Sequence, residues 1–198
     1  MCHLVETIKV EHGRYYDLPY HTTRMNRSRR LLFGRDDQID LESCLAIPPD
    51  LGPERHKCRV VYGNHVVRVE YEAYKVRPIR SLKIVDGSGI DYHHKYVDRS
   101  ALAQLRELRA GCDDILIEVS GQLTDGSYAN VALFDGTRWY TPATVLLEGT
   151  KRARLIDEGI LTVADIAASE ISSFEALGLI NALIDIGECV VPTSSIVP

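Results

Sequence analysis

The amino-acid sequence predicts an α+β fold in two halves, on two observations. Strand-rich runs and a few helical runs occur in each half without a sustained strand–helix–strand rhythm, which argues against a doubly wound parallel sheet. One linker-like stretch, Asp86-Gly87-Ser88-Gly89, places an N-terminal domain at residues 1–86 and a C-terminal domain at 90–198. A chain of 198 residues can bury a core as one large domain or two small ones.

Leu4 to Val10 is rich in β-branched residues and reads as a strand, with His12-Gly13 as a tight turn before Tyr15 and Tyr16. From Pro19 the pattern turns helical. Met25, Leu31, Leu32 and Phe33 are apolar, Arg24, Arg27, Arg29 and Arg30 lie between them, and Gly34 is the natural stop. Leu41 to Ala46 reads as a second short helix, closed by Pro48-Pro49. Cys58 to Tyr62 and His65 to Tyr74 are β-rich runs joined by Gly63-Asn64, a hairpin signal. Beyond the linker, Arg99 to Arg109 is helical and Ile115 to Val119 a strand, and Val131 to Phe134 forms a hairpin with Trp139 to Thr141 over Asp135-Gly136. A helix starts near Thr150 and ends at Gly159, and Ile180 to Ile186 is expected as a buried strand.

Composition narrows the function classes. A content of 45% hydrophobic and 26% charged residues fits a soluble globular protein. No apolar run approaches the roughly 18 to 20 residues of a membrane span, and the N-terminus lacks a basic-then-apolar signal pattern. A net charge of −5 argues against non-specific nucleic-acid binding. Cys2, Cys44, Cys58, Cys112 and Cys189 are scattered, odd in number and never paired as CxxC. A reducing, cytoplasmic setting is therefore expected, without a disulfide framework or structural zinc.

The residues that could carry chemistry come in a telling order. Lys95 sits in Tyr92-His93-His94-Lys95-Tyr96-Val97-Asp98-Arg99. Leu-Thr-Asp-Gly-Ser-Tyr-Ala-Asn follows at 123–130, and Leu-Leu-Glu-Gly-Thr-Lys-Arg at 146–152. An amine, a carboxylate and amide donors at a glycine-opened helix are what pyridoxal phosphate (PLP) requires, for a Schiff base, its ring nitrogen and its phosphate.

Each residue also has a bland reading. A lysine taken blind is a solvated surface residue, but partial desolvation by Tyr92 and Tyr96 would lower the pKa of Lys95 and make it a nucleophile and proton carrier. Asp125 lies in a composition that makes turns anyway. Gly149 lets backbone approach an anion and the amides of Thr150 and Lys151 form a cradle, although any helix N-terminus offers as much. Arg24, Arg27, Arg29 and Arg30 lack the interleaved aromatics of a nucleic-acid patch. His93 and His94 are adjacent, point to different faces and have no evident partners for a metal. Gly87-Ser88-Gly89 lacks the third glycine of a dinucleotide loop, and no Gly-x-Ser-x-Gly elbow occurs.

With these motifs in this order, and with Leu-Val-Glu-Thr-Ile-Lys-Val at 4–10, Tyr-His-Thr-Thr-Arg at 20–24 and Leu-Ile-Asn-Ala-Leu-Ile at 179–184, the chain resembles the class IV aminotransferases, PLP enzymes of fold type IV. The resemblance covers nearly the whole chain. It implies two small α/β domains with the cofactor cleft between them, a small-molecule amino substrate and a homodimer, with no nucleic-acid or membrane partner. It implies that Lys95 carries PLP and moves the proton between substrate carbon and cofactor, and that Asp125 keeps the ring nitrogen protonated. It also implies that Arg24, in His-x-x-Arg, reaches the phosphate, which Gly149, Thr150 and Lys151 cradle. The family usually has glutamate where Asp125 stands and Gly-Ile-Thr where Gly149-Thr150-Lys151 stands, so backbone contacts carry over better than side-chain ones. A second phosphate contact, from a late threonine in relatives, falls to the Ala182 amide.

The family holds transaminases for D-amino and branched-chain amino acids and a lyase of folate biosynthesis, which releases pyruvate from aminodeoxychorismate to give 4-aminobenzoate. Three local matches lean to the lyase: Thr7, placed near the substrate in the lyase; Lys95-Tyr-Val-Asp-Arg99 against Lys-x-x-Asn-Arg; and Asn181-Ala182-Leu183. Thr7 is then a candidate catalytic hydroxyl; otherwise it is a strand threonine facing solvent. A transaminase is the first alternative, and a PLP-binding protein without turnover the second. Relatives usually carry a further strand and a Gly-Asp-Gly turn before the match, so the N-terminal domain is expected to be shortened.

Overall fold

A computed structural model describes residues 2–198, and the strands and helices below are those of the described residues. The chain divides into two compact units. The first runs to Lys75 and takes in His94–Asp98; the second comprises Val76–His93 and Arg99–Pro198. The division thus falls at Lys75/Val76 and not at residues 86–90. Asp86-Gly87-Ser88-Gly89 is packed instead of linking: Gly87 N–H donates to Glu118 O at 2.8 Å, and a Cβ on Gly87 would stand 2.4 Å from Ile117 Cγ2. Its glycine serves close approach to a strand, which composition alone does not separate from flexibility.

The first unit is built from β1 (Leu4–Glu11), β2 (Arg14–Tyr15), α1 (Leu18–Phe33), α2 (Leu41–Cys44), β3 (His56–Tyr62) and β4 (Val66–Ala73). Its sheet is antiparallel in the order β2-β1-β3-β4. His12 and Gly13 both take positive φ, the turn that suits a right-twisted hairpin. Leu4, Ile8 and Val10 of β1 join Met25, Leu41, Cys58, Val60 and Tyr62 in the core. Strand alternation puts Glu6 on that same face, fully buried.

Helix α1 stops at Gly34 as expected, but it turns an unexpected face inward. Leu31 and Leu32 are 64% and 40% exposed, while His21, Arg24, Asn26, Ser28 and Arg29 are buried beside Met25. Arg29 donates to Asn26 Oδ1 at 3.0 Å, Asp37 Oδ2 at 2.8 Å and Asn64 O at 2.8 Å. Arg24 and Arg29 are therefore interior residues of hydrogen-bond networks, not part of a solvated basic stripe.

The second unit contains β5 (Leu82–Asp86), α3 (Ser100–Arg106), β6 (Asp114–Val119), β7 (Gln122–Gly126), β8 (Asn130–Phe134), β9 (Trp139–Pro142), α4 (Thr150–Asp157), β10 (Leu161–Ala164), β11 (Ala176–Ile180), β12 (Val190–Pro192) and β13 (Ile196–Val197). The main path of its sheet is β10-β9-β8-β7-β6-β5-β13, with β11 joining β8 to β12. Three strand pairs, β5/β6, β9/β10 and β13/β5, are parallel, and the first two are connected through α3 and α4. The remaining hairpins are antiparallel, so the fold is mixed α/β with two crossover helices. Ala132, Leu155, Leu161 and Ile180 form a core where α4 packs on this sheet.

Two local expectations need correction. The strand expected at 180–186 ends at Ile180, and Asn181–Ile184 is a turn closed by Ile184 N–H to Asn181 O at 3.1 Å and Leu183 N–H to Asn181 Oδ1 at 2.8 Å. Asp125 lies within β7, not in a turn. Among the described residues no helix is long and apolar enough to cross a membrane.

Candidate active site

Lys95 reaches the first unit from far along the chain, and backbone pairing fixes it there. Val5 N–H donates to Lys95 O at 2.9 Å, Val97 N–H donates to His3 O at 3.0 Å, and Tyr96 bridges Leu4. Residues 95–97 are thus laid along the start of β1. His94 Nδ1 stands 3.1 Å from Ser28 Oγ on α1, so this histidine does have a partner. Lys95 itself is half-buried.

Arg24 is gripped from β1. Its Nε donates to Glu6 Oε1 at 3.0 Å and its Nη2 to Glu6 Oε2 at 2.5 Å, a forked pair, while His21 Nδ1 lies 2.6 Å from Glu6 Oε2. Burial alone would raise the Glu6 carboxyl, but the Arg24 charge and the His21 hydrogen bond outweigh it and hold it down to about 2. Burial also lowers His21, against the pull of Glu6. A carboxylate only accepts, so the neutral ring donates through Nδ1–H. Sequence reasoning missed Glu6 and His21, though a glutamate at an inward position of an apolar strand is a signal in itself. Thr7 lies on the other face of β1, half-buried and paired in register with Arg59.

The second unit assembles the remaining candidates. Asp125 is buried, accepting from Asn130 Nδ2 at 2.5 Å and from the amides of Leu146 at 2.5 Å and Leu147 at 3.2 Å. Burial pushes its carboxyl up to about 6 despite these donors and the charge of Arg152. Asn130 Nδ2 also donates to Leu147 O at 2.8 Å, and a Cβ on Gly149 would meet Asn130 Oδ1 at 1.8 Å. Gly149 is thus required by Asn130, and one network runs from Asp125 to the start of α4. The Lys151 ammonium is committed to Asp185 Oδ1 at 2.5 Å. That ion pair holds the Asn181–Ile184 turn, and with it Ala182, beside the first turn of α4. Among the described residues no hydrogen bond uses the Ala182 amide.

Residues 65–191 match the amino-transferase class IV family. The chain belongs to that family. Class IV aminotransferases are PLP-dependent enzymes, and this chain is 33% identical over 182 residues to an uncharacterized protein of Haemophilus influenzae, covering 91% of this chain and 97% of that one. Among solved structures it is similar to a candidate 4-amino-4-deoxychorismate lyase from Haemophilus somnus, with TM-score 0.83, 29% identity and coverage of 92% of this chain and 97% of that one. It also shares its fold with the fold IV transaminase CpuTA1 of Curtobacterium pusillum, with TM-score 0.77, 19% identity and coverage of 96% and 78%.

The residues present fit the cofactor of the class IV family. Asp125 is a buried carboxylate with no ion pair among the described residues, and burial raises its pKa despite the charge of Arg152, a setting in which a protonated ring nitrogen would find a partner. The start of α4 and the Ala182 amide offer backbone donors to a phosphate. Lys151 would offer its backbone there and not its charge, because Asp185 takes the ammonium.

Proposed function

We propose that the chain is a PLP-dependent lyase that releases pyruvate from 4-amino-4-deoxychorismate and leaves 4-aminobenzoate. The observation that carries this reading is the near-complete mutual coverage with the candidate lyase of Haemophilus somnus, 92% of this chain and 97% of that one. The Thr7 and Asn181-Ala182-Leu183 matches support it.

When bound, PLP supplies an electron sink for the substrate carbon. Lys95 Nζ is the amine that holds it and the base that removes the proton from the substrate ring carbon. In the second unit the amides of Gly149–Lys151 and Ala182 would hold the phosphate; in the first, Glu6 and His21 fix the Arg24 guanidinium in one geometry. Asp125 keeps the ring nitrogen protonated. The C–O bond to the enolpyruvyl group breaks, the electron pair leaves with oxygen, and a proton assisted by the Thr7 hydroxyl completes pyruvate. Loss of the ring proton makes the remaining amine aromatic.

Given 4-amino-4-deoxychorismate and no keto acid, the PLP-loaded protein should yield pyruvate and 4-aminobenzoate in equal amounts. D-Alanine or L-glutamate alone should leave the PLP absorbance band in place. Rapid, complete conversion to pyridoxamine phosphate would overturn the lyase and favour a transaminase. Borohydride reduction and peptide mapping should place the pyridoxyl group on Lys95; an adduct on another lysine removes it from this role. The same reading makes the protein a cytoplasmic homodimer, and sedimentation of a cofactor-loaded 22.2 kDa monomer would reject the pairing.

A further inference from the structure

The second unit carries a cavity of about 360 Å³ lined by none of the residues assigned above to the cofactor or the substrate. Arg99, Leu102, Ala103 and Arg106 recur at the spacing that shares one face of α3 and form one wall. Arg77 and Tyr128 contribute to the rest.

The arginines form two poles. At one, Arg99 Nη2 donates to Ser127 O at 2.6 Å, and no carboxylate pairs with it among the described residues. At the other, Arg77 Nη2 at 2.8 Å and Arg106 Nε at 3.2 Å share the carboxylate of Asp114, whose side chain is 1% exposed. Two cations on one carboxylate leave one positive charge there, and Arg99 leaves another. Arg106 follows Arg99, the N-cap residue of α3, by seven positions, about 10 Å between their Cα atoms at a rise of ~1.5 Å per residue. Between the poles lie Leu102, Ala103 and the Tyr128 ring, whose centroid is 5.6 Å from the Arg77 guanidinium carbon.

We propose that this cavity binds a small organic dicarboxylate. One carboxylate sits at Arg99, the other between Arg77 and Arg106, and a planar or apolar body covers Leu102, Ala103 and Tyr128. A guanidinium keeps several N–H donors after one or two bonds, and its fork matches carboxylate oxygens. The volume is at the lower end of the roughly 300 to 1,000 Å³ of small-ligand pockets. An inorganic anion would satisfy one pole and leave the apolar floor wet. The inference does not depend on the lyase reading.

Isothermal titration of the PLP-loaded protein with terephthalate should give saturable binding of one molecule per chain. Benzoate, with one carboxylate, and inorganic phosphate should bind at least tenfold more weakly. Arg99→Gln and Arg106→Gln should each weaken terephthalate tenfold or more, whereas Arg68→Gln on β4 should leave it unchanged. Ala103→Trp, at an exposed helix position, should fill the cavity with every arginine in place and abolish binding, with circular dichroism showing the fold intact. Equal affinity for benzoate, full binding in the Ala103→Trp protein, or no terephthalate binding at all overturns the site. So does binding that survives Ala103→Trp and is lost in Lys95→Ala.

Discussion

Glu6 has no contact with solvent, so replacing it strands a buried cation. Glu6→Gln removes one partner of a buried pair and should cost about 3 to 5 kcal/mol in denaturant unfolding. It should also weaken PLP binding, because the Arg24 fork loses its anchor. Since the folded carboxyl is held below its ordinary value, its stabilisation is complete above pH 4.5 and is lost as pH falls towards about 2. The variant should be flat over that window, and an unchanged acid limb would count against the network. Asp125 has the opposite sign. Its raised carboxyl favours the fold below pH 3.8, and that contribution is lost as pH rises through about 6. Cofactor-free protein should therefore lose on the order of 3 kcal/mol across that interval, a loss absent from Asp125→Asn. Identical slopes for the two proteins would remove the ionisation from Asp125.

At the level of elements, Gly149 ties the start of α4 to β7 and β8 through Asn130. Gly149→Ala should cost about 1 to 3 kcal/mol by overpacking against the Asn130 amide. In Asn130→Ala protein the same change should cost measurably less, because the two residues share one contact; strict additivity would disprove the coupling. Elements set by local signals were legible in the sequence. The His12-Gly13 turn, the β3–β4 and β8–β9 hairpins and the Gly34 stop depend on turn residues and neighbouring strands. The parallel pairs β5/β6 and β9/β10 were not, because pairing across a crossover helix leaves no short-range mark. Helix α1 misled for another reason: its inward face is His21, Arg24, Ser28 and Arg29, and apolar periodicity cannot reveal a helix that buries a polar network. The helix start at Gly149 was legible in the sequence, whereas Glu6 emerged only once β1 and α1 were placed together.

For the whole molecule, membership of the two units departs from chain order at His94–Asp98. The first unit ends at Lys75 and is completed by His94–Asp98, residues that arrive after eighteen positions of the second unit, Val76–His93. A fragment ending at Lys75 would leave Val5 N–H and His3 O without Lys95 and Val97. Adding a synthetic peptide of residues 93–99 to such a fragment should raise its amide protection at Val5; no gain in protection would mean that the segment does not close the unit. On the ribosome this arrangement becomes a matter of timing. The last residue of the closing segment follows Lys75 by 23 residues (98 − 75 = 23), roughly one to five seconds at about 5 to 20 residues per second. During that interval the nascent β1 presents an open strand edge to chaperones or to wrong partners. Lys95 belongs to the segment that ends this exposure, so completion of the first unit and arrival of that lysine are one event.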